Sequence, residues 1–293
     1  MNLGTMFTRR FAIAAIAATA AATVTTFSLP ATAQDTLERA REQGYIRVGF
    51  ANEAPYGYAT PSGELTGEAP EIVKAVLQKM GIPEVDGVLT EFGSLIPGLN
   101  AGRFDIIAAG MFITPKRCEQ IAFSEPTYGI GQAFLVKEGN PKGLKTYEDV
   151  AANPDVTLGV MAGAIEKDYA VKSGVSEGQI LTFPDGPSGL AAVRAGRVDA
   201  FALTSLSIGN LVQTAGPGAG VERAEPFGTV AGESVKGHGG FGFRKEDEAL
   251  LAEFNKHLTA FIGSPEHLAL VEPFGFTKAE LPVKSTAELC AGK

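Results

Sequence analysis

The sequence predicts an α/β protein built as two similar lobes joined by two crossing segments. Three observations lead there. Apolar, strand-like runs alternate with helix-patterned segments along most of the chain, as in parallel sheets with helical crossovers. The order strand, small-residue loop, helix, strand, helix, strand occurs twice, and "LIPGLNAGRFDIIAAG" (95–110) matches "LAAVRAGRVDAFALT" (190–204) in its Ala-Gly-Arg, apolar, Asp, apolar-strand pattern. A late strand, within "GGFGFRKED" (239–247), follows the second unit and can run back to the first.

Each element has its own signal. Thr36 to Gln43 reads as a short helix, and Gly44-Tyr45 turns it into the strand "IRVGF" (46–50). A Gly/Pro/Asn-rich loop then leads to "EIVKAVLQKM" (71–80). Its apolar residues at 72, 73, 76, 77 and 80 keep a helical period, with Pro70 suited to the first turn and Gly81 to the stop. "GVLTEF" (87–92) reads as a strand, "SLIPGLNAG" (94–102) as a short helix and "FDIIAAGM" (104–111) as a buried strand. After the strand in "GQAFLVKEG" (131–139) the pattern restarts. It runs through strand "VTLGVM" (156–161), helix "EKDYAVKSG" (166–174), strand "GQILTF" (178–183), a helix in "GPSGLAAVRAG" (186–196) and strand "VDAFALT" (198–204). "EALLAEFNKHLTAFIG" (248–263) is a long amphipathic helix. Crossings near 137–140 and 237–243 give lobe 1 residues 34–137 and 239–293, and lobe 2 residues 138–238.

The chain has 293 residues, 45% hydrophobic and 20% charged, an ordinary globular composition. Its start is different. Arg9-Arg10, a weakly apolar stretch from Phe11 to about Phe27 and the small-x-small Ala31-Thr32-Ala33 describe an export signal over 1–33, cleaved near Ala33, with a periplasmic destination. Beyond it, 23 Lys and Arg face 33 Asp and Glu, a net charge of −10, which argues against nucleic acid or an anionic membrane as partner. No later segment is apolar for long enough to span a bilayer, so the expectation is an exported monomer that is not membrane-embedded. Export permits a disulfide between the two cysteines, Cys118 and Cys290; the alternative is two free thiols.

Other chemistry finds little support. "GHGGFG" (237–242) satisfies the dinucleotide fingerprint but precedes a strand instead of opening a helix, and its glycines read as hinge flexibility. The histidines at 238, 257 and 267 lack metal-ligand spacing, no phosphate loop is present, and no cofactor is implied.

Three blocks carry a family resemblance: "GELTGEAPEIVKAVLQKMG", "LIPGLNAGRFDIIAAGMFITPKRCEQIAFSEPTY" and "LAAVRAGRVDAFALT". They resemble the bacterial extracellular solute-binding proteins of the polar amino-acid class (family 3), which serve ABC importers. The resemblance covers nearly all of the chain after the signal. It implies a two-lobed Venus flytrap of type II with a small ligand in the cleft, permease subunits as partners, and no catalysis. Within the family, the Glu53/Tyr56, Phe92 and Phe112/Arg117 set resembles the ectoine- and hydroxyectoine-binding branch. In amino-acid binders the residue at the place of Arg117 holds the α-carboxylate and an acid after the strand "DAFALT" takes the α-ammonium. Here Thr204-Ser205 stands at that acid's place, and Phe112 stands where a small hydroxyl residue is common.

The residues suggest a matching chemistry. Arg117 offers a planar fork for a carboxylate, and backbone N–H groups of Gly163, Ala164 and Ile165 are placed to complete the clamp. Tyr56, Phe92 and Phe112, with Gly110, fall at strand ends or in the loops after them, where ligand crevices of α/β sheets form. Three aromatic faces attract a diffuse cation by roughly 0.5–2 kcal/mol per contact, and Glu53 can accept one of its N–H groups. This describes a compact zwitterion with a delocalised cation, such as ectoine or hydroxyectoine. Phe92 and Phe112 also fit simple core packing, Glu53 fits a solvated loop acid, and Thr204 joins the set by position alone. A polar amino acid is the alternative ligand. A dehydratase of cyclic acids on the same scaffold is the alternative function, with Glu53 as its general acid.

Overall fold

The computed structural model describes residues 35–225, 227–230, 233–234 and 236–293; the expected export signal lies outside them. Two sheets form, one per lobe. The first runs in the order Glu84–Leu89, Tyr45–Phe50, Ile106–Phe112, Gly237–Phe243, Ala122–Phe123, and Tyr128–Ile130 also pairs with Gly237–Phe243. The second runs Ile180–Phe183, Leu158–Met161, Ala200–Thr204, Gln132–Lys137, Val221–Arg223. In each sheet the first three strands are parallel and the fourth is antiparallel to the third. The duplicated sequence pattern is therefore a duplicated strand order, and both lobes take their antiparallel strand from a segment that passes between the lobes.

The repeated aspartate has one structural task in both halves. Asp105 N–H donates to Arg47 O (2.9 Å), and its Oδ2 accepts from Arg47 N (3.4 Å). Asp199 N–H donates to Thr157 O (2.8 Å), and its Oδ2 accepts from Thr157 N (2.9 Å). Each thus closes the entry of two adjacent parallel strands. Asp105 is also gripped by Arg39 (2.8 Å) and by the buried Arg244 (2.9 Å).

The helix Glu68–Lys79 buries Ile72, Val73, Val76 and Leu77 against the first sheet, the stripe its periodicity predicts. One core cluster, including Phe92, Met111, Met161, Phe201 and Leu203, draws residues from both lobes, so apolar packing continues across the cleft.

Three expectations change. The strand expected at 87–92 is Glu84–Leu89, because its parallel register with Tyr45–Phe50 runs out at the Phe50–Leu89 pair; Phe92 instead opens a short 3-10 turn. Gln132–Lys137 pairs with Ala200–Thr204 and Val221–Arg223, so it belongs to the second sheet. The first crossing is therefore at Gly131, between Tyr128–Ile130 and Gln132–Lys137, not near 137–140, and the return lies between the Gln132–Phe227 bridge and Gly237. The glycines of "GHGGFG" lie in the strand Gly237–Phe243. A side chain at Gly237 would run into the ring of Phe112 and one at Gly239 into Tyr128, so these glycines make room for aromatic rings.

A bridge joins Cys118 to Cys290, with Cα atoms 5.7 Å apart, and ties the C-terminal helix Thr286–Cys290 to the short helix Pro115–Cys118. Among the described residues, no helix is long and apolar enough to cross a membrane.

Candidate ligand-binding cleft

Strand Ile106–Phe112 delivers Gly110 and Phe112 to the cleft, and the chain then turns at Thr114 into the short helix that carries Arg117. The Thr114 hydroxyl accepts from Arg117 N–H (3.3 Å), which fixes the start of that turn. Arg117 is buried. Its Nη1 donates to Phe112 O (2.8 Å), its Nη2 to Gly163 O on the second lobe (3.0 Å), and its guanidinium carbon lies 5.5 Å from the centre of the Phe92 ring. Burial lowers its pKa, while Glu166 opposes the shift. With two of its groups committed to carbonyls, the guanidinium retains further N–H donors for an anion.

A cavity of about 310 Å³ opens beside this guanidinium. Glu53, Tyr56, Phe92, Gly110, Phe112 and Arg117 wall it from the first lobe; Ala164, Ile165 and Thr204 wall it from the second. Gly163 does not line it. That glycine faces an adjoining space on the other side of Arg117 and gives Arg117 its carbonyl, while the Ala164 N–H is turned to Met161 O (3.2 Å). The expected N–H clamp is thus altered: Gly163 adopts φ +75°, and its Cα passes so close to Gly93 of the first lobe that a side chain on Gly163 would run into the Gly93 backbone.

The aromatic residues are both core and wall. Tyr56 is fully enclosed, and Phe92 and Phe112 are buried with only their cavity edges free. Tyr128 stands behind them, 5.1 Å from the ring of Tyr56 and 6.2 Å from that of Phe112, and its hydroxyl donates to Gly110 O (2.7 Å). Gly110 has φ +62°, and the Tyr56 ring occupies the place of its missing side chain.

Three hydrogen bonds hold the lobes together around the cavity. Besides Arg117 to Gly163, Tyr56 Oη donates to Thr204 Oγ1 (3.0 Å) and Ser207 Oγ donates to Glu53 Oε1 (2.7 Å). Thr204 also caps the helix Ser205–Ala215 by accepting from Ser207 N–H (3.2 Å).

Four residues of the site escaped the sequence reading: Met161, Glu166, Leu203 and Ser207. Glu166 matters most. It is buried, lines the cavity, and accepts at Oε1 from the Gln132 amide (2.9 Å), while its Oε2 has no partner among the described residues. The second lobe therefore does supply an acid, from the start of the helix Glu166–Lys172 instead of from the end of the strand Ala200–Thr204. Its position directly after Ile165 was the available signal. Burial pushes the Glu166 carboxyl up to about 8, with Glu53 adding to the shift. Burial pushes Glu53 up to about 7 against the pull of the Ser207 hydroxyl and Arg117. The cleft thus holds two carboxyl groups raised towards neutral pH and one fixed cation.

The profile of the bacterial extracellular solute-binding proteins, family 3, matches residues 46–277. A probable amino-acid ABC transporter periplasmic-binding protein of Sinorhizobium fredii is 38% identical over 87% of this chain and 86% of its own. The lysine/arginine/ornithine-binding periplasmic protein of Escherichia coli is 30% identical over 73% of this chain and 80% of its own. The crystal structure of EhuB in complex with hydroxyectoine superposes with a TM-score of 0.81 at 38% identity, covering 88% of this chain and 99% of EhuB. The two duplicated lobes, the cleft between them and the match over most of the chain agree: this protein belongs to the bacterial extracellular solute-binding proteins of family 3.

Proposed function

We propose that the protein is the periplasmic substrate-binding component of an ABC importer, and that its cleft holds a compact zwitterion with a delocalised cation, ectoine and hydroxyectoine foremost. One observation carries this reading: a single cavity between the lobes is lined by Arg117, by the aromatic side chains of Tyr56, Phe92 and Phe112, and by Glu53 and Glu166. The ligand carboxylate takes the remaining N–H groups of Arg117. The ring cation lies against the aromatic walls. An amidinium has two N–H groups, and two acids on opposite lobes are there to accept them. A betaine meets the same walls and the same clamp but has no N–H to offer either acid. The likeness to EhuB, crystallised with hydroxyectoine, supports the same ligand class.

A polar amino acid is the second reading, and Glu166 is the observation that favours it, since an α-ammonium can use that acid. Calorimetry with ectoine, hydroxyectoine, glycine betaine, glutamine and arginine separates the readings. Micromolar or tighter binding of the two ectoines with weak binding of the rest is expected; a clear preference for glutamine or arginine sinks the proposal. Binding proceeds without turnover in this reading. Glu53 and Glu166 are protonated enough to serve as general acids, so incubation with prephenate or arogenate, followed by ultraviolet absorbance, tests that point; aromatic product formation overturns it.

A further inference from the structure

Beyond Glu53 lies a second chamber, larger than the cavity at Arg117 and open to solvent at its rim. Both lobes wall it. Ala54, Tyr58 and Ala59 line it from the loop after the first strand, and Leu190 and Leu211 from the helices Gly186–Arg194 and Ser205–Ala215. The buried Leu203 and Ser207 form its floor, and the exposed Asn52, Pro61 and Pro187 its rim. Glu53 and Leu203 line both spaces, and the Ser207–Glu53 hydrogen bond stands where they meet.

We propose that this chamber is an accessory subsite for an apolar substituent on the cationic end of the ligand, so that the protein accepts zwitterions bearing a short alkyl chain beyond the cation as well as compact ones. The inference rests on the reading of the cleft given above. With the carboxylate at Arg117 and the cation at Glu53, a substituent pointing away from the carboxylate leads past Glu53 into this space. The chamber's chemistry selects the substituent. Its lining is mostly apolar, the polar Asn210 and Thr214 being neutral, and among the described residues Glu53 is the only charged side chain there, so an anionic tail is desolvated without a partner. An alkyl chain gains up to about fourfold in affinity per fully buried methylene. When Glu53 turns to the ligand, Ser207 Oγ still accepts from Thr204 Oγ1 (3.2 Å), and its freed hydroxyl proton faces the larger space that Ser207 lines.

The test compares ectoine with a homologue in which the amidine methyl group is replaced by n-pentyl. Calorimetry uses the exported protein and two variants, Asn210→Trp, which fills the chamber, and Leu190→Gln, which makes its wall polar. Neither residue lines the cavity at Arg117, so unchanged ectoine affinity reports an intact fold and primary site. The wild type is expected to bind the pentyl homologue at least as tightly as ectoine. Each variant is expected to lose about tenfold or more for the homologue while keeping its ectoine affinity. Exclusion of the homologue by a wild type that binds ectoine overturns the subsite, as does equal weakening of both ligands in the variants. Failure of both ligands on the wild type instead overturns the zwitterion reading itself, and the subsite with it.

Discussion

At the scale of the residue, the cleft is a set of charges whose balance depends on occupancy. Arg117 stays cationic, and its loss removes the only fixed positive charge lining the cavity. Arg117→Ala is expected to weaken ligand binding by about a hundredfold or more, since charge-assisted hydrogen bonds contribute about 1.5–3 kcal/mol each; titration calorimetry reads this directly. Phe112 has two roles, so Phe112→Ser should cost about 3 kcal/mol of stability from the buried volume lost, in addition to weakening cation recognition. Phe112→Leu keeps most of the volume and isolates the second effect. The two acids predict opposite pH trends for the empty and the loaded protein. Their folded pKa values, about 7 for Glu53 and about 8 for Glu166, stand above the ordinary 4.5. Between those limits the folded empty protein holds more protons than the unfolded chain, so its stability falls as pH rises from about 4.5 to about 8. A bound cation favours the ionised carboxyls, so binding releases protons and affinity rises with pH through the same window. Thermal melts across that range, with and without ligand, and calorimetry at pH 7 in buffers of different ionisation heat check both signs. A sequence reading locates Glu53 from its loop and Arg117 from its motif. It misses Glu166 because an acid at the start of a helix is the commonest of surface features; only the pairing of strand Gln132–Lys137 beside Ala200–Thr204, which buries Gln132 against it, makes it a cleft residue.

At the scale of the element, the legible features were those with a period or a repeat. The stripe of Glu68–Lys79, the buried strand Ile106–Phe112 and the two Ala-Gly-Arg-x-Asp turns all follow from local pattern. Strand membership did not. Gln132–Lys137 is apolar on both faces in either sheet, and the choice between sheets is made by partners some 70 residues away at Ala200–Thr204. The helix Ser205–Ala215 went unread because Ser, Gly, Asn and Thr dilute its period, although Thr204 caps it as such residues do. The bridge between Cys118 and Cys290 spans 172 residues of sequence. Its reduction should lower stability by about 2–5 kcal/mol, seen as a drop in melting temperature on adding a thiol reductant.

At the scale of the whole molecule, the lobes meet through hydrogen bonds of Arg117, Tyr56 and Glu53 that a ligand also needs, so closing on an empty cleft and closing on a ligand compete for the same groups. The closed form also requires Gly93 and Gly163 to pass at close range. Gly163→Val, whose Cβ would run into Gly93, should hold the lobes apart. Small-angle scattering of that variant with saturating ligand is expected to show a larger radius of gyration than the wild type, and affinity should fall about tenfold or more as the closed state becomes a minor one.

The placement of the disulfide bears on that motion. Cys118 and Cys290 belong to one lobe: the tail helix they anchor also rests on Ser124 and Glu125 through Thr286. No disulfide therefore spans the joint, and the bridge acts as a rivet in one jaw, seating the arginine at the cavity wall, while the two backbone crossings alone tie that jaw covalently to the other. An oxidant or a reductant in the surroundings is therefore expected to change how much heat that jaw withstands more than how the pair opens.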